Sequence, residues 1–440
     1  MIIKKILFVI CNDGEARLIY PVYQALKGQG IDNIIIISTG SLTKERSQKG
    51  VEEALVALNM PFIRLTDYRT MDITKVLKIE QPDIVVLGSD QEFLKRSFVY
   101  AANDLHIPTL SLRLGISTNV ANVPHIALKR TFYRFTHHLT NILHKYLYLL
   151  RTMVGLKWSP ITIMRVILRD IHIASSADDA GGRFGCKAIA VAGLWEKRVL
   201  TERGVNPEKI YITGAPTQDI SPKAEASGKE AELRKSLGIE DNAKVVLLLT
   251  TTYVEHGWWS PEMRTSFTNG IIDSLAPLLE KSVRLIIKIH PIENLDDYRK
   301  ILGPRQQKVI LRKDLPPSKV IGISDVVIAG YSTTVLEACA LRKPVIVLNI
   351  FGEPEYLPYV EMGLATGVYH LNTLKMTVEK MLYDPSVREE VLRRVDLFFS
   401  QNRQSFDGKA IPRLTDLILQ LAESHTKNLK ITYQNKRIIA

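Results

Sequence analysis

Residues able to do chemistry gather just after short apolar runs in this chain. After Val326–Ala329 comes Gly330-Tyr331-Ser332-Thr333-Thr334-Val335-Leu336-Glu337. Gly330 permits a tight turn. Ser332, Thr333 and Thr334 would set hydroxyls and backbone N–H groups at a helix start, which suits a phosphate. Glu337, one turn further on, could accept hydrogen bonds from ribose hydroxyls; a plain capping box of Thr334 with Glu337 is the alternative. His290-Pro291 follows Arg284–Ile289, and a histidine there is as often structural as ligand-binding. Lys244–Thr250 leads into Thr251-Thr252-Tyr253-Val254-Glu255-His256-Gly257-Trp258-Trp259, whose hydroxyls, acid–histidine pair and indoles suit a sugar or base, or else cap the core. In the first half, Lys5–Ile10 runs into Cys11-Asn12-Asp13-Gly14-Glu15, and Asp83–Leu87 into Gly88-Ser89-Asp90. These acids either face a ligand or cap helices, the commoner use of Asp. No Gly-x-Gly-x-x-Gly and no Walker pattern occurs, so neither NAD nor ATP is signalled.

The elements that must position these residues are legible as alternation. Further Ile- and Val-rich runs at Asn33–Ser38, Thr109–Leu112, Lys187–Ala192, Lys209–Thr213, Lys308–Leu311 and Pro344–Leu348 are apolar on both faces. That is the pattern of parallel strands covered by helices on each side. Amphipathic stretches such as Ala16–Lys27 lie between them, which predicts an α/β chain of two doubly wound Rossmann-type parallel-sheet domains facing across a cleft. The expected domains are 1–218 and 236–425. A polar linker spans 219–235, a helical insert about 118–168, and a loose basic tail 426–440.

The chain has 440 residues, 46% of them hydrophobic, and a net charge of +12. Two or three domains and an ordinary soluble composition follow. Three widely spaced cysteines form no metal motif and argue for a reducing compartment. No secretory signal and no run of apolar residues long enough to cross a membrane is seen. The charge is local. Between Leu105 and Arg169 there is no acid and there are nine basic residues, leaving 12 − 9 = +3 for the remainder.

In their order along the chain, the Gly330–Val347 segment with Lys343-Pro344-Val345, the Val199–Asp219 segment and Glu15–Val22 resemble the non-hydrolysing UDP-N-acetylglucosamine 2-epimerases and the related GT-B glycosyltransferases. The resemblance covers most of the chain apart from about 118–167. It implies that Ser332 and Thr333 touch a diphosphate and Glu337 a ribose. It also sets His290 and Glu355 near the donor and Asp90 beside the sugar ring. The epimerase acid/base set is mostly missing: Arg113 stands where an acid is expected, Asn12-Asp13-Gly14 lacks the basic residue of the first turn, and Thr251-Thr252-Tyr253 replaces a His-Arg loop.

The cationic insert reads as an amphipathic helix. Phe132, Phe135, Leu139, Ile142, Tyr146, Leu149 and Met153 make one stripe, and Arg130, Arg134, His137, Asn141, His144 and Arg151 lie about 150° away at roughly 100° per residue. An anionic membrane surface, reached through Lys129, Arg130, Arg134, Lys145 and Arg151, is one reading. Packing on the protein or a homodimer is another, and nucleic acid is not expected because no recognisable module accompanies the stripe.

The combined expectation is a metal-independent, cofactor-free GT-B glycosyltransferase, cytoplasmic and peripheral on the inner membrane face. It would move a sugar from a nucleotide-sugar, UDP-linked by preference, to a lipid-linked or surface-polysaccharide acceptor. Asp90 and His256 are the candidate catalytic residues; Asp13, Gly14, Glu15, Thr252, His290, Ser332, Thr333, Thr334, Glu337 and Glu355 are the candidate substrate contacts. An epimerase with a rearranged acid/base set and a non-catalytic sugar-nucleotide-binding protein are the alternatives.

Overall fold

The computed structural model describes residues 4–42, 46–113, 142–175, 181–216, 229–255, 257–353, 355, 357–402 and 407–438. They form two units. Of the described residues, one holds 4–113, 142–216 and 407–438, and the other holds 229–402.

The first unit is built on a seven-stranded sheet: β1 Ile6–Ile10, β2 Ile34–Ser38, β3 Ile63–Arg64, β4 Ile84–Leu87, β5 Thr109–Arg113, β6 Ala188–Val191 and β7 Ile210–Ile212. The second carries six strands: β8 Lys244–Leu249, β9 Val283–Lys288, β10 Val309–Arg312, β11 Val326–Ala329, β12 Val345–Leu348 and β13 Thr366–Val368. Their orders are β3-β2-β1-β4-β5-β6-β7 and β10-β9-β8-β11-β12-β13. Every pairing is parallel. The expected doubly wound α/β architecture therefore stands. β3 and β13 were absent from the reading of the sequence, because two- and three-residue edge strands carry too short an apolar run to register.

Helices cover both faces of the first sheet. Leu7, Val9, Val85 and Leu87 face one core, with Ile73, Val76 and Leu77 of helix Ile73–Glu80 and Leu94, Phe98 and Val99 of helix Phe93–Asp104. Ile6, Phe8, Ile10 and Val86 face the other, with Ala16, Ile19, Val22 and Leu26 of helix Asp13–Gly28. The alternation is the two-residue period of a strand whose faces are both covered.

Three expected boundaries change. Glu230–Ser236, placed in the linker, is a helix. The tail expected to be loose continues helix Ala410–Ile438. That helix does not close the second unit: Leu414, Leu417, Ile418 and Ala422 pack into the first unit's core beside Ala16 and Ile19. An apolar face at helical spacing goes wherever an uncovered sheet face can take it.

The part of the insert that is described folds into the first unit. Residues 142–155 are helical, followed by helix Pro160–Ser175. Tyr148, Leu149, Met153 and Val166 join the core that holds Leu7 and Leu87. Tyr146 meets Phe93 edge-on at 4.8 Å, Trp158 meets Tyr100 at 5.1 Å, and Thr152 Oγ1 accepts the Ile73 N–H at 3.1 Å. Lys145 is a correction to the membrane-surface set: it is buried and pairs with Glu92 at 3.7 Å. Arg151 is exposed, while Lys129, Arg130 and Arg134 lie outside the described residues.

The second helix is pinned by a buried ion pair. Arg96 donates to Asp170, and its guanidinium stacks 3.8 Å from the Phe184 ring; both partners are 3% exposed. Arg169 reaches the same carboxylate at 3.5 Å and donates to Tyr100 Oη at 2.6 Å. Losing one member of such a pair strands the other charge in the core. Asp170→Ala is expected to lower the unfolding free energy by about 3–5 kcal/mol, read by urea denaturation. Replacing Arg96 and Asp170 together with apolar residues should cost less than the single change.

Candidate functional site

In parallel sheets ligands meet the residues beyond the strands' carboxyl ends. In the second unit those of β9, β8, β11 and β12 stand side by side, carrying His290, Thr250 to Tyr253, Gly330 to Thr334, and Asn349.

Tyr253 organises this edge. Its hydroxyl lies across the end of β11 and accepts the Tyr331 N–H at 2.9 Å. A Cβ on Gly330 would fall 2.6 Å from that hydroxyl and 3.0 Å from Thr251 Oγ1, so glycine is needed for close approach rather than for an unusual φ. Trp258 stacks on Tyr253 at 5.7 Å, and Trp259 lies 4.4 Å from it. Trp259 donates Nε1–H to Glu353 at 3.0 Å and packs edge-on against Phe351. The two indoles, read as stackers or core caps, thus brace the loop. Asn349 donates to Tyr331 Oη at 3.0 Å, and Tyr359 Oη donates to the Ser332 carbonyl at 2.8 Å.

These braces hold the turn into helix Thr334–Ala340. The cap residue is Thr333, which makes no side-chain cap bond, so a Thr334–Glu337 box is not how the helix starts. Ser332 Oγ and Thr334 Oγ1 lie 2.8 Å apart, and the Thr334 N–H reaches Ser332 Oγ at 3.4 Å. Thr333 is exposed and Ser332, Thr334 and Glu337 are half-buried, so the first turn is open to solvent.

At the neighbouring edge Glu293 does what the sequence did not reveal. Its carboxylate takes the hydroxyls of Thr250 and Tyr298, the latter at 2.7 Å, and the His290 N–H at 3.1 Å. Burial raises its pKa, and the hydroxyl and N–H donors oppose the rise. His290 Nδ1 accepts the Ile292 N–H at 3.3 Å, which in the neutral ring leaves the proton on Nε2. Thr252 is buried. Glu355 accepts from Tyr369 Oη at 2.6 Å, and that bond, with burial, lifts the Tyr369 phenol to about 12. His256 lies outside the described residues.

The first unit's strand ends are more closed than expected. Asn12 caps helix Asp13–Gly28, accepting the Glu15 N–H at 2.8 Å. Asp13 accepts from Gly14 N–H at 2.9 Å, and Gly14 is exposed. Glu15, a predicted ligand contact, instead takes the Cys11 N–H at 2.9 Å and the ammonium of Lys95, which is 1% exposed. It lies so close over Gly88 that a Cβ there would sit 2.4 Å from its carboxylate. The buried Cys11 thiol is pushed up to about 12 by desolvation and stays neutral. Nothing in the periodicity marked Lys95 as buried; Gly88, a glycine at a strand end, was the available signal.

Asp90, the other catalytic candidate, is fully buried. Its oxygens accept the Gly182 and Phe184 N–H groups at 2.7 and 3.3 Å, and burial raises its pKa against those bonds. It anchors a loop and presents no oxygen to an acceptor.

Two parallel-sheet α/β units with these strand-end sites make the fold GT-B-like. The chain belongs to the CDP-Glycerol:Poly(glycerophosphate) glycerophosphotransferase family, whose model matches residues 194–419, just over half of it. Among solved structures it is similar to the UDP-GlcNAc 2-epimerase of Neisseria meningitidis bound to UDP-GlcNAc, with 16% identity, TM-score 0.58, and 94% of this chain and 100% of that one covered. It is similar to S. aureus MnaA with UDP at 14% identity and TM-score 0.57, covering 95% and 97%. It is also similar to the wall teichoic acid polymerase TagF soaked with CDPG, at 12% identity and TM-score 0.52, covering 96% and 90%. No curated protein matches the sequence.

Two substitutions separate anchoring from ligand contact. Asp90→Ala leaves two buried N–H groups unpaired and is expected to lower stability by about 1–3 kcal/mol, read by thermal or urea melts, while ligand binding to the folded fraction persists. Gly330→Ala forces Tyr253 off the turn. Calorimetry should show weakened nucleotide binding, with the melt changed by about 1–3 kcal/mol.

Proposed function

We propose that the protein transfers a phosphoglycerol-type group from a CDP-activated donor to a surface-polymer acceptor carried on a lipid. The observation that carries this is the open Gly330–Thr334 turn at the end of β11, braced by Tyr253 and Tyr359, inside the segment matched by the family model. UDP and a sugar were the donor expectation; the family's own substrate name moves the preference to CDP-glycerol.

Transfer of this kind forms a bond between an acceptor hydroxyl oxygen and the glycerol-bearing phosphorus. The bridging P–O bond breaks, CMP leaves with the electron pair, and the acceptor proton passes to a base. Charge builds on the leaving phosphate, so the protein's contribution is fixed donors aimed at it. The hydroxyls of Ser332, Thr333 and Thr334 are suited to this, while the Tyr331, Ser332 and Thr334 N–H groups hold the turn itself together. His290, with Nδ1 engaged by the Ile292 N–H, is suited to donate from Nε2 to a phosphate oxygen rather than to take a proton. Glu293 holds the imidazole's backbone in place through the His290 N–H.

A second reading, sugar-nucleotide isomerisation with an altered acid/base set, is favoured by the overall likeness to the epimerases that bind UDP and UDP-GlcNAc. The chemistries part at the product. With CDP-glycerol at about one hundred times its Kd, the apparent stability should rise by about 2.7 kcal/mol, and added membranes should drive release of CMP. A shift with UDP-GlcNAc alone, together with deuterium appearing at its C2 in heavy water, would falsify the phosphoglycerol transfer.

A further inference from the structure

Beyond the Gly330–Thr334 turn, the next two strands of the same sheet bring together a carboxylate and a phenol that the transfer chemistry leaves without a role. β11, β12 and β13 run side by side, with Val347 paired to Gly367 and the Asn349 N–H given to the Val368 carbonyl at 2.9 Å. Val368 enters the core with Ile346 and Leu348, so the alternation turns Gly367 to the opposite face of the sheet. Tyr369 folds back onto that glycine. A Cβ on Gly367 would fall 2.6 Å from the Tyr369 hydroxyl and 2.8 Å from two carbons of its ring. Gly367 does not have the positive φ that asks for glycine; the ring needs the space.

Tyr369 is 44% exposed, so this seat hides little of the ring. What the seat does is fix the hydroxyl, which donates to Glu355 Oε1 at 2.6 Å. Glu355 is half-buried in the loop after β12, and no other described residue donates to it, which leaves Oε2 for a ligand. The bond to Glu355, with burial, keeps the phenol protonated through neutral pH, and its oxygen retains lone pairs to accept with. The pair stands close to the turn. Burial first, and Glu355 next, raises the phenol of Tyr331, whose own N–H closes the turn on Tyr253.

Charge and hydrogen-bond direction select the occupant. A carboxylate repels phosphate, so this pair is unsuited to the anionic part of a donor that the hydroxyls of Ser332, Thr333 and Thr334 would meet. Glu355 Oε2 and Tyr369 Oη are neighbouring acceptors, and the phenol proton is already engaged by Oε1. Two adjacent acceptors without a donor match two hydroxyls on adjacent carbons, each giving its proton. A cytidine nucleotide carrying glycerol has two such diols. Glu337, in the first turn of helix Thr334–Ala340, is the group expected at the ribose, which leaves the glycerol for Glu355 and Tyr369.

We infer that Glu355 and Tyr369, seated by Gly367, form a subsite for the vicinal diol of the donor's glycerol and so set which polyol the protein accepts. This rests on the reading of a CDP-activated donor, which CDP itself checks separately. Full-length protein is titrated by calorimetry with CDP, CDP-glycerol, CDP-ethanolamine and the CDP ester of propane-1,3-diol, which lacks the middle hydroxyl. The parent should bind CDP-glycerol about tenfold more tightly than the propanediol ester, the scale of one hydrogen bond to a charged group. Glu355→Ala should erase that difference, and Tyr369→Phe and Gly367→Ala should each narrow it, while all three bind CDP as the parent does. Thermal melts check that each variant is folded; Glu355→Gln, which keeps the shape and loses the charge, serves if the alanine variant does not fold, and should narrow the difference. Four results overturn the subsite: a parent that binds CDP but holds both esters equally, a folded Glu355→Ala that keeps the tenfold difference, a Glu355→Ala that loses CDP and CDP-glycerol alike because the carboxylate meets the ribose, or a parent that prefers CDP-ethanolamine because the pair holds a cation. A parent that binds neither CDP nor any of its esters removes the donor reading, and the subsite with it.

Discussion

All strand pairings in both sheets are parallel, and this one constraint arranges everything else. Parallel strands put their carboxyl ends on a common edge, so Cys11 to Glu15 and Gly88 to Asp90 meet although some seventy residues separate them. Likewise Thr250, His290 and Gly330 come together from three different stretches. The same constraint forces each strand to be followed by a crossover, which covers both faces and demands strands that are apolar throughout. The core sequence and the location of the chemistry are two consequences of one hydrogen-bonding direction.

The two edges have been used differently. At the first unit's edge, acids and their partners satisfy one another: Glu15 with Lys95 and the Cys11 N–H, Asp90 with two backbone N–H groups. A buried carboxylate without such donors would cost far more than the fold could offset. At the second unit's edge the supporting groups, Glu293, Tyr253 and Tyr359, lie beneath and hold the backbone. The hydroxyl-bearing turn above them, with Thr333 exposed, still has solvent-facing atoms. Supporting bonds that fix a backbone and leave side chains outward are what a preorganised binding site requires.

The helices between β5 and β6 show how a charge-rich segment is divided by packing. Lys145 went inward to Glu92, and Arg151 stayed out. Leu149 and Met153 entered the core while Leu143 and Leu147, on the same helix, did not. A helix with apolar residues on opposing sides has two faces that qualify as buried by composition, and only the available neighbour decides between them.

Much was therefore legible in the amino acids themselves. The Ile- and Val-rich runs named eleven of the thirteen strands among the described residues and their parallel character, because apolarity on both faces is a local property of each run. Gly330 before a hydroxyl-rich helix start marked the second unit's edge for the same reason: turn chemistry is carried by adjacent residues. What required tertiary structure was everything set by distant partners. The last helix joined the first unit because an uncovered face of that sheet accepts Leu414 and Ile418. Asp90 and Glu15 became internal anchors because Gly182, Phe184 and Lys95 arrive from elsewhere in the chain. Spacing reports which side chains share a face; burial, and with it the difference between a ligand contact and a structural bond, depends on what that face meets.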